Sequence, residues 1–260
     1  MLTSLQNPLV KQFRKLHSAK ARREEGLFLL EGTHLLEEAS AVNLPLSVVC
    51  CTPQWQEKHL SLWDQISALA TRTQLVSDKV LESMATTVQP DGVVAIASRV
   101  ITQTTPLTSL GLVLETIQDP GNLGTIIRTT ASTDAQGLWL SRDSVDLDHP
   151  KVLRASAGAW FRLPMAVKDD LKEDILECKR QGMQILATVP DASLSYWDVN
   201  LANPSLILLG NEGAGLSPEL ISLATHQVTI PLSRGIESLN VAIAASLILY
   251  EAQRQRQITP

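Results

Sequence analysis

Asn211, Glu212, Glu237, Ser238 and Asn240 are the residues of this chain whose types and places ask for a chemical explanation. The first two lie in Leu206-Ile-Leu-Leu-Gly-Asn-Glu-Gly-Ala-Gly-Leu-Ser-Pro-Glu, an apolar run that breaks at Gly210, Gly213 and Gly215. The other three follow a second apolar run, which breaks at Pro231 and Gly235 before a long apolar helix. A structural turn needs only the glycines, whereas amides, carboxylates and a hydroxyl are costly to bury without partners. Two such loops at strand ends predict a ligand site lined by groups that donate, accept and carry charge.

A third stretch, Glu115-Thr-Ile-Gln-Asp-Pro-Gly-Asn-Leu-Gly-Thr-Ile-Ile-Arg, carries a strand into a Pro-Gly turn and a helix expected to start near Asn122. At roughly 100° per residue, Asn122 and Arg128 lie about 120° apart on that helix and still share one loop edge. Taken alone, the stretch is most simply a capping Asn and a surface Arg. The Lys-Ser/Thr ending of a nucleotide-binding loop is missing. Further on, Lys151 and Arg154 could touch phosphate, but Ala155, Ala157, Gly158 and Ala159 make close helix packing the simpler role, and His149 reads as a turn residue.

The elements that must position these residues follow from hydrophobic spacing. Leu5, Leu9, Phe13 and Leu16 mark one face of an N-terminal helix. Strands are expected at 27–30, 46–51, 75–76 and 93–97, with helices at 33–41, 53–71 and 78–84 between them, which describes a small α/β domain over residues 1–98. Thr-rich residues 99–109 lack periodicity and read as a linker. Over 110–260 the apolar runs at 110–114, 137–140, 184–189, 206–209 and 227–230 alternate with helices and predict a mostly parallel sheet covered on both faces. Ligands bind such sheets at the carboxyl ends of the strands. A helix from Ser238 that is apolar nearly all round through Tyr250 must be buried, in the domain or against a second subunit.

A chain of 260 residues exceeds the usual size of one core, so a domain of about 150 residues with a smaller companion is expected. Its 44% hydrophobic and 19% charged residues describe a globular protein. No targeting or membrane-spanning segment is apparent, which predicts a cytoplasmic location. The three cysteines fit neither a disulfide framework nor a metal site and are expected to be reduced. A net charge of −5 argues against general nucleic-acid binding. Its distribution differs: Lys11, Arg14, Lys15, Lys20, Arg22 and Arg23 stand together with no acid before residue 24, a footprint of phosphate contact or of a solvated helix face.

Asn122-x-Gly124-x-x-x-Arg128, Gly210-Asn-Glu-Gly-x-Gly-Leu-Ser and Ile230-Pro with Glu237-Ser-Leu-Asn-Val resemble, in order and spacing, the three motifs of the SpoU/TrmH family of RNA 2′-O-ribose methyltransferases. Leu232 stands where many relatives have Met, a tolerable apolar exchange. The resemblance implies an α/β fold with a trefoil knot, S-adenosylmethionine bound in it, a homodimer, and a ribosomal-protein-like N-terminal domain that binds structured RNA. It assigns the cofactor to Thr188, Val189, Pro190, Leu209, Gly210, Asn211, Gly213, Ile230 and Leu239, and catalysis to Asn122, Arg128, Glu212, Ser238 and Asn240. RNA would meet the N-terminal basic cluster together with Lys151 and Arg154. Arginine is a poor base, so Arg128 is read as holding a phosphate and developing charge, leaving a substrate phosphate or Glu212 to take the proton. The separate N-terminal domain favours ribosomal over transfer RNA. A non-catalytic RNA-binding protein is the alternative from another class, against which the intact motif residues speak. A nicotinamide enzyme lacks its Gly-x-Gly-x-x-Gly signature here.

Overall fold

The periodic apolar residues of the first segment, Leu9, Val10, Phe13 and Leu16, are buried and hold α1 (Pro8–Lys15) on a small sheet. The computed structural model describes residues 1–99 and 106–258. α1 starts on Asn7, whose side chain accepts from the Leu9 amide, with Pro8 at the first helical position. There follow α2 (Ala19–Glu25), β1 (Leu27–Glu31), α3 (Thr33–Ala41), β2 (Leu46–Cys51), α4 (Pro53–Lys58), α5 (Leu60–Leu69), β3 (Thr73–Leu75), α6 (Asp78–Met84) and β4 (Val93–Ser98). The sheet order is β1-β4-β2-β3, with β4 antiparallel to both neighbours and β3 parallel to β2. Strand alternation gives it two buried faces, Phe28, Leu30 and Val49 on one and Leu29, Val48 and Cys50 on the other.

The chain continues with β5 (Leu110–Leu114), α7 (Pro120–Ser132), β6 (Gly137–Ser141), α8 (Pro150–Ala155), β7 (Met165–Lys168), α9 (Leu171–Arg180), β8 (Gln184–Thr188), β9 (Leu194–Ser195), β10 (Ser205–Leu209), α10 (Pro218–Leu223), β11 (His226–Thr229) and α11 (Val241–Ile258). Its seven strands lie in the order β7-β6-β5-β10-β8-β11-β9, and every pairing is parallel. One face packs Val113, Trp139, Ile185, Leu206 and Leu208 against Leu171 and Ile175 of α9 and Leu220 of α10. α7 and α11 pack on each other, with Thr129 bonded to Ser246 and Ser132 to Tyr250.

Two compact units result, Met1–Val100 with Asp146–Phe161, and Ile101–Val145 with Arg162–Pro260. The sequence reading placed 146–161 in the second unit; instead this segment, with α8, packs in the first. Leu153 lies in the first unit's apolar core with Trp160 and Phe161 packed against it, and an ion cluster ties the segment in. Arg22 is fully buried in α2 and donates to Asp146 Oδ2 and Asp148 Oδ1, both at 3.1 Å, and to the carbonyls of Leu16 and His17. Of the expected linker at 99–109, residues 100–105 lie outside the described residues.

Two short strands leave no readable apolar run, and the helix expected near Asn122 is present. Strand β7 was missed because it is a four-residue edge strand with Val167 48% exposed, too short for a pattern. β9 has only two residues. α7 begins two residues before Asn122, on Asp119 as its cap. No helix among the described residues is long and apolar enough to cross a membrane, and among them no group of His, Cys, Asp or Glu is arranged to hold a metal.

Candidate active site

The carboxyl ends of β5, β10 and β11 deliver the polar residues singled out in the sequence. Asp119 caps α7 by accepting the amides of Gly121 at 2.7 Å and Asn122 at 2.9 Å, and Pro120 fills the first helical position, where no N–H is needed. This places Asn122 in the first turn with its side chain free to reach across. Asn122 Nδ2 donates to Glu212 Oε1 at 3.1 Å, and Asn122 Oδ1 accepts Asn240 Nδ2 at 3.0 Å. Asn240 in turn caps α11, its Oδ1 accepting the Ala242 amide at 2.9 Å. Residues from three loops are thereby joined in one chain of hydrogen bonds.

Glu212 is the hub of this chain. Its two oxygens also accept the backbone amides of Asp119 at 3.2 Å and Gln118 at 3.3 Å. Partial burial opposes its charge, but the Asn122 side chain and the backbone amides outweigh it and hold the carboxyl below the usual range. A carboxylate so stabilised is a poor base and a good orienting group.

Arg128 and Ser238 are not drawn into this network. Both are exposed, and their side chains make no hydrogen bond or ion pair among the described residues. Gln118 and Asp119, which supply two of the three donors to Glu212, were not singled out from the sequence as site residues. The Asp-Pro pair at a helix start was their readable signal.

The residues assigned to a cofactor lie together at strand ends. Leu208 of β10 is in register with Ala187 of β8, and Val228 of β11 with Thr188, so Thr188 to Pro190, Leu209 to Gly210 and Ile230 follow three adjacent parallel strands. The loops are tied: Thr188 Oγ1 donates to the Leu208 carbonyl, Thr229 Oγ1 to the Pro190 carbonyl and the Val189 amide to the Val228 carbonyl. Gly210 is required, since a Cβ there would lie 2.1 Å from the Gly215 carbonyl carbon. Asn211 shapes the turn: its Oδ1 accepts the amides of Gly213 and Ala214, and its Nδ2 donates to the Thr116 carbonyl. Its side chain is therefore spent on the fold. Gly213 meets no such constraint. Residues 231–240 form no strand or helix and are all exposed, Leu232, Ile236 and Leu239 among them.

The basic residues divide sharply. Lys11 and Arg14 are exposed and keep side chains without polar partners among the described residues. Lys15 pairs with Glu25 and Lys20 with Glu24, while Arg23 reaches Asp146 and Arg154 reaches Glu31 and Thr86. Lys151 is exposed beside His149, which caps α8. Arg22, read from the sequence as an RNA contact, is corrected: it has no exposed surface and serves the buried ion cluster.

A family model described as the SpoU rRNA Methylase family matches residues 109–250, and one described as an MRM3-like substrate binding domain matches 7–95. An uncharacterized tRNA/rRNA methyltransferase of Synechocystis sp. is 48% identical over 98% of this chain and 94% of its own. The 23S rRNA (guanosine(2553)-2′-O)-methyltransferase RlmP of Bacillus subtilis is 30% identical over 96% of this chain and 97% of its own. The tRNA (guanosine(18)-2′-O)-methyltransferase of Escherichia coli is 32% identical, but over 57% of this chain and 64% of its own. The crystal structure of an AdoMet-bound rRNA methyltransferase from Sinorhizobium meliloti superposes with a TM-score of 0.85 at 31% identity, covering 97% of each chain.

Proposed function

The chain belongs to the SpoU rRNA methylase family, and from that premise we propose that it is a cytoplasmic enzyme that methylates a ribose 2′-hydroxyl of ribosomal RNA, with S-adenosylmethionine as donor. The observation that carries the reading is the hydrogen-bonded group of Glu212, Asn122 and Asn240 at the carboxyl ends of the parallel sheet.

The strand-end loops fit the donor chemically. Backbone N–H and C=O groups of 188–190, 209–210 and 230 suit its amino-acid and ribose portions. The exposed Leu232, Ile236 and Leu239, costly as free surface, suit the faces of an adenine ring. When bound, S-adenosylmethionine supplies a sulfonium methyl group, an electrophile that needs an aligned oxygen more than a strong base. In the transfer the ribose 2′-oxygen takes the methyl group, the C–S electron pair stays on sulfur, and the hydroxyl proton is lost. As the O–C bond forms, the hydroxyl becomes strongly acidic, so a substrate phosphate or water suffices as acceptor. Glu212, already committed to its donors, orients Asn122 and Asn240 towards the ribose. Arg128 holds the adjacent phosphate and stabilises developing charge through its planar fork.

Ribosomal RNA is favoured over transfer RNA because the 23S rRNA relative matches along both units, whereas the tRNA relative matches 149 residues. The first unit then binds RNA, with Lys11 and Arg14 on phosphates. The position of β10 between β5 and β8, both earlier in the chain, supports the trefoil knot. Ile243, Leu247 and Tyr250, exposed at successive turns of α11, support a homodimer.

The test uses tritiated S-adenosylmethionine and 23S rRNA from a strain lacking this gene. Methyl groups should map to a ribose. Tight donor binding without incorporation into any ribosomal or transfer RNA would point instead to a non-catalytic RNA-binding protein.

A further inference from the structure

Thr116 has a φ of 57°, in the left-handed region. For a β-branched residue that backbone is strained and persists only where its surroundings over-determine it. Those surroundings are explicit. Thr116 Oγ1 donates to Asp143 Oδ2 at 2.7 Å, its amide donates to Ser141 Oγ at 2.7 Å, and its carbonyl accepts Asn211 Nδ2 at 2.8 Å. Asp143 Oδ1 accepts Ser141 Oγ at 2.5 Å, and the Asp143 carbonyl accepts Gln118 Nε2 at 2.9 Å. The Ile117 amide donates to Ser144 Oγ at 2.9 Å, and its carbonyl accepts the Val145 amide at 2.8 Å. The turn after β6 is thus stitched to the loop after β5.

The residues directly after this stitched point, Gln118 and Asp119, supply the amides that hold Glu212. Their direction is set by the Thr116 backbone. We propose that Asp143 is a positioning residue for methyl transfer: it holds Thr116 left-handed and so aims the Gln118 and Asp119 amides that orient Glu212 and, through it, Asn122. The proposal rests on the reading of the Glu212 group as catalytic. Asp143 touches none of the reacting groups. The Ser141 hydroxyl, and after it that of Thr116, holds its carboxyl below the usual range, so the clamp is fully charged at neutral pH.

Asp143→Ala should slow methyl transfer to 23S rRNA by about ten- to a hundredfold, with KM for both substrates within about twofold. Asp143→Asn, which keeps the shape and one acceptor and can donate to the other hydroxyl once that hydroxyl turns, should retain most of the turnover. The discriminating variant adds Thr116→Gly to Asp143→Ala. Glycine takes a positive φ without strain, so the pair should recover about tenfold over Asp143→Ala alone. Amide hydrogen exchange at Gln118 and Asp119 reads the positioning without activity: it should quicken in Asp143→Ala and slow again in the pair. If the parent chain transfers no methyl group, the functional reading fails while the exchange data still decide the clamp. Unchanged exchange in Asp143→Ala, parental turnover in that variant, or loss that glycine does not recover overturns the proposal.

Discussion

Glu212 receives hydrogen bonds from one side-chain amide and two backbone amides, and this lowers its pKa despite partial burial. The sign of the pH effect follows. A carboxyl with a depressed folded pKa keeps its orienting role above its unfolded value, near 4.3, and loses it as pH falls through the folded value. The rate of methyl transfer should therefore show no acid limb from Glu212 between about pH 5 and pH 8. A limb near neutrality that vanishes in Glu212→Gln would make it the general base after all. Arg128 behaves differently, because its head has no polar partner among the described residues. Arg128→Lys keeps the charge but loses the two-pronged geometry, and turnover should fall by about a hundredfold with S-adenosylmethionine affinity, read by calorimetry, unchanged. At this scale Glu212 and Asn240 were legible because polar residues in strand-end glycine loops have few structural reasons to be there, whereas Asn122 alone reads as a helix cap and stands out only through the motif resemblance. Asp143 was not: its hydroxyl partner Thr116 is 27 residues away, and no local pattern marks a strained backbone.

Among the elements, strands with near-continuous apolar runs were legible almost to the residue, since burial on both faces leaves a strong imprint. The edge strand β7 and the two-residue β9 have too little buried surface to leave one. Arg22 is the sharper lesson. In sequence it belongs to a basic cluster; in space it meets Asp146 and Asp148, 124 and 126 residues on. Arg99 also pairs with Asp148, without hydrogen-bond geometry at Oδ2. Arg22→Ala removes the fully buried partner of Asp146 and Asp148, leaving each only Arg23 or Arg99, and should destabilise the first unit by about 3 kcal/mol, read as a lower urea midpoint. Lys11→Ala with Arg14→Ala should leave stability unchanged and reduce the salt slope of RNA binding. Burial explains the cysteines, Cys50 and Cys51 in β2 and Cys178 in α9. Burial pushes the thiols of Cys50 and Cys51 up to about 12 and that of Cys178 to about 11. A thiol reagent at neutral pH should label none of them until the chain is unfolded.

For the molecule as a whole, α11 bears on an alternative that the sequence left open. The expected all-round burial is met on one side by Ala245, Ile248, Leu249 and Ala252, while Ile243, Leu247 and Tyr250 stay between 38% and 51% exposed on another. An apolar stripe of that length on the surface calls for a partner, and a symmetric pair of copies covers it without any further component. Ile243→Glu with Leu247→Glu should convert a dimer to a monomer in sedimentation, with the helical circular-dichroism signal retained. A dimer would also offer Arg128 a place to act, because its side chain has no polar partner among the described residues of its own chain. Two inactive variants, Arg128→Ala and Glu212→Ala, separate the arrangements when co-expressed. If Arg128 serves the partner's Glu212, each mixed dimer has one site with both residues intact, and random pairing restores about a quarter of the parental activity. If both residues serve the same site, every site in the mixture lacks one of them and the mixture stays as inactive as its components.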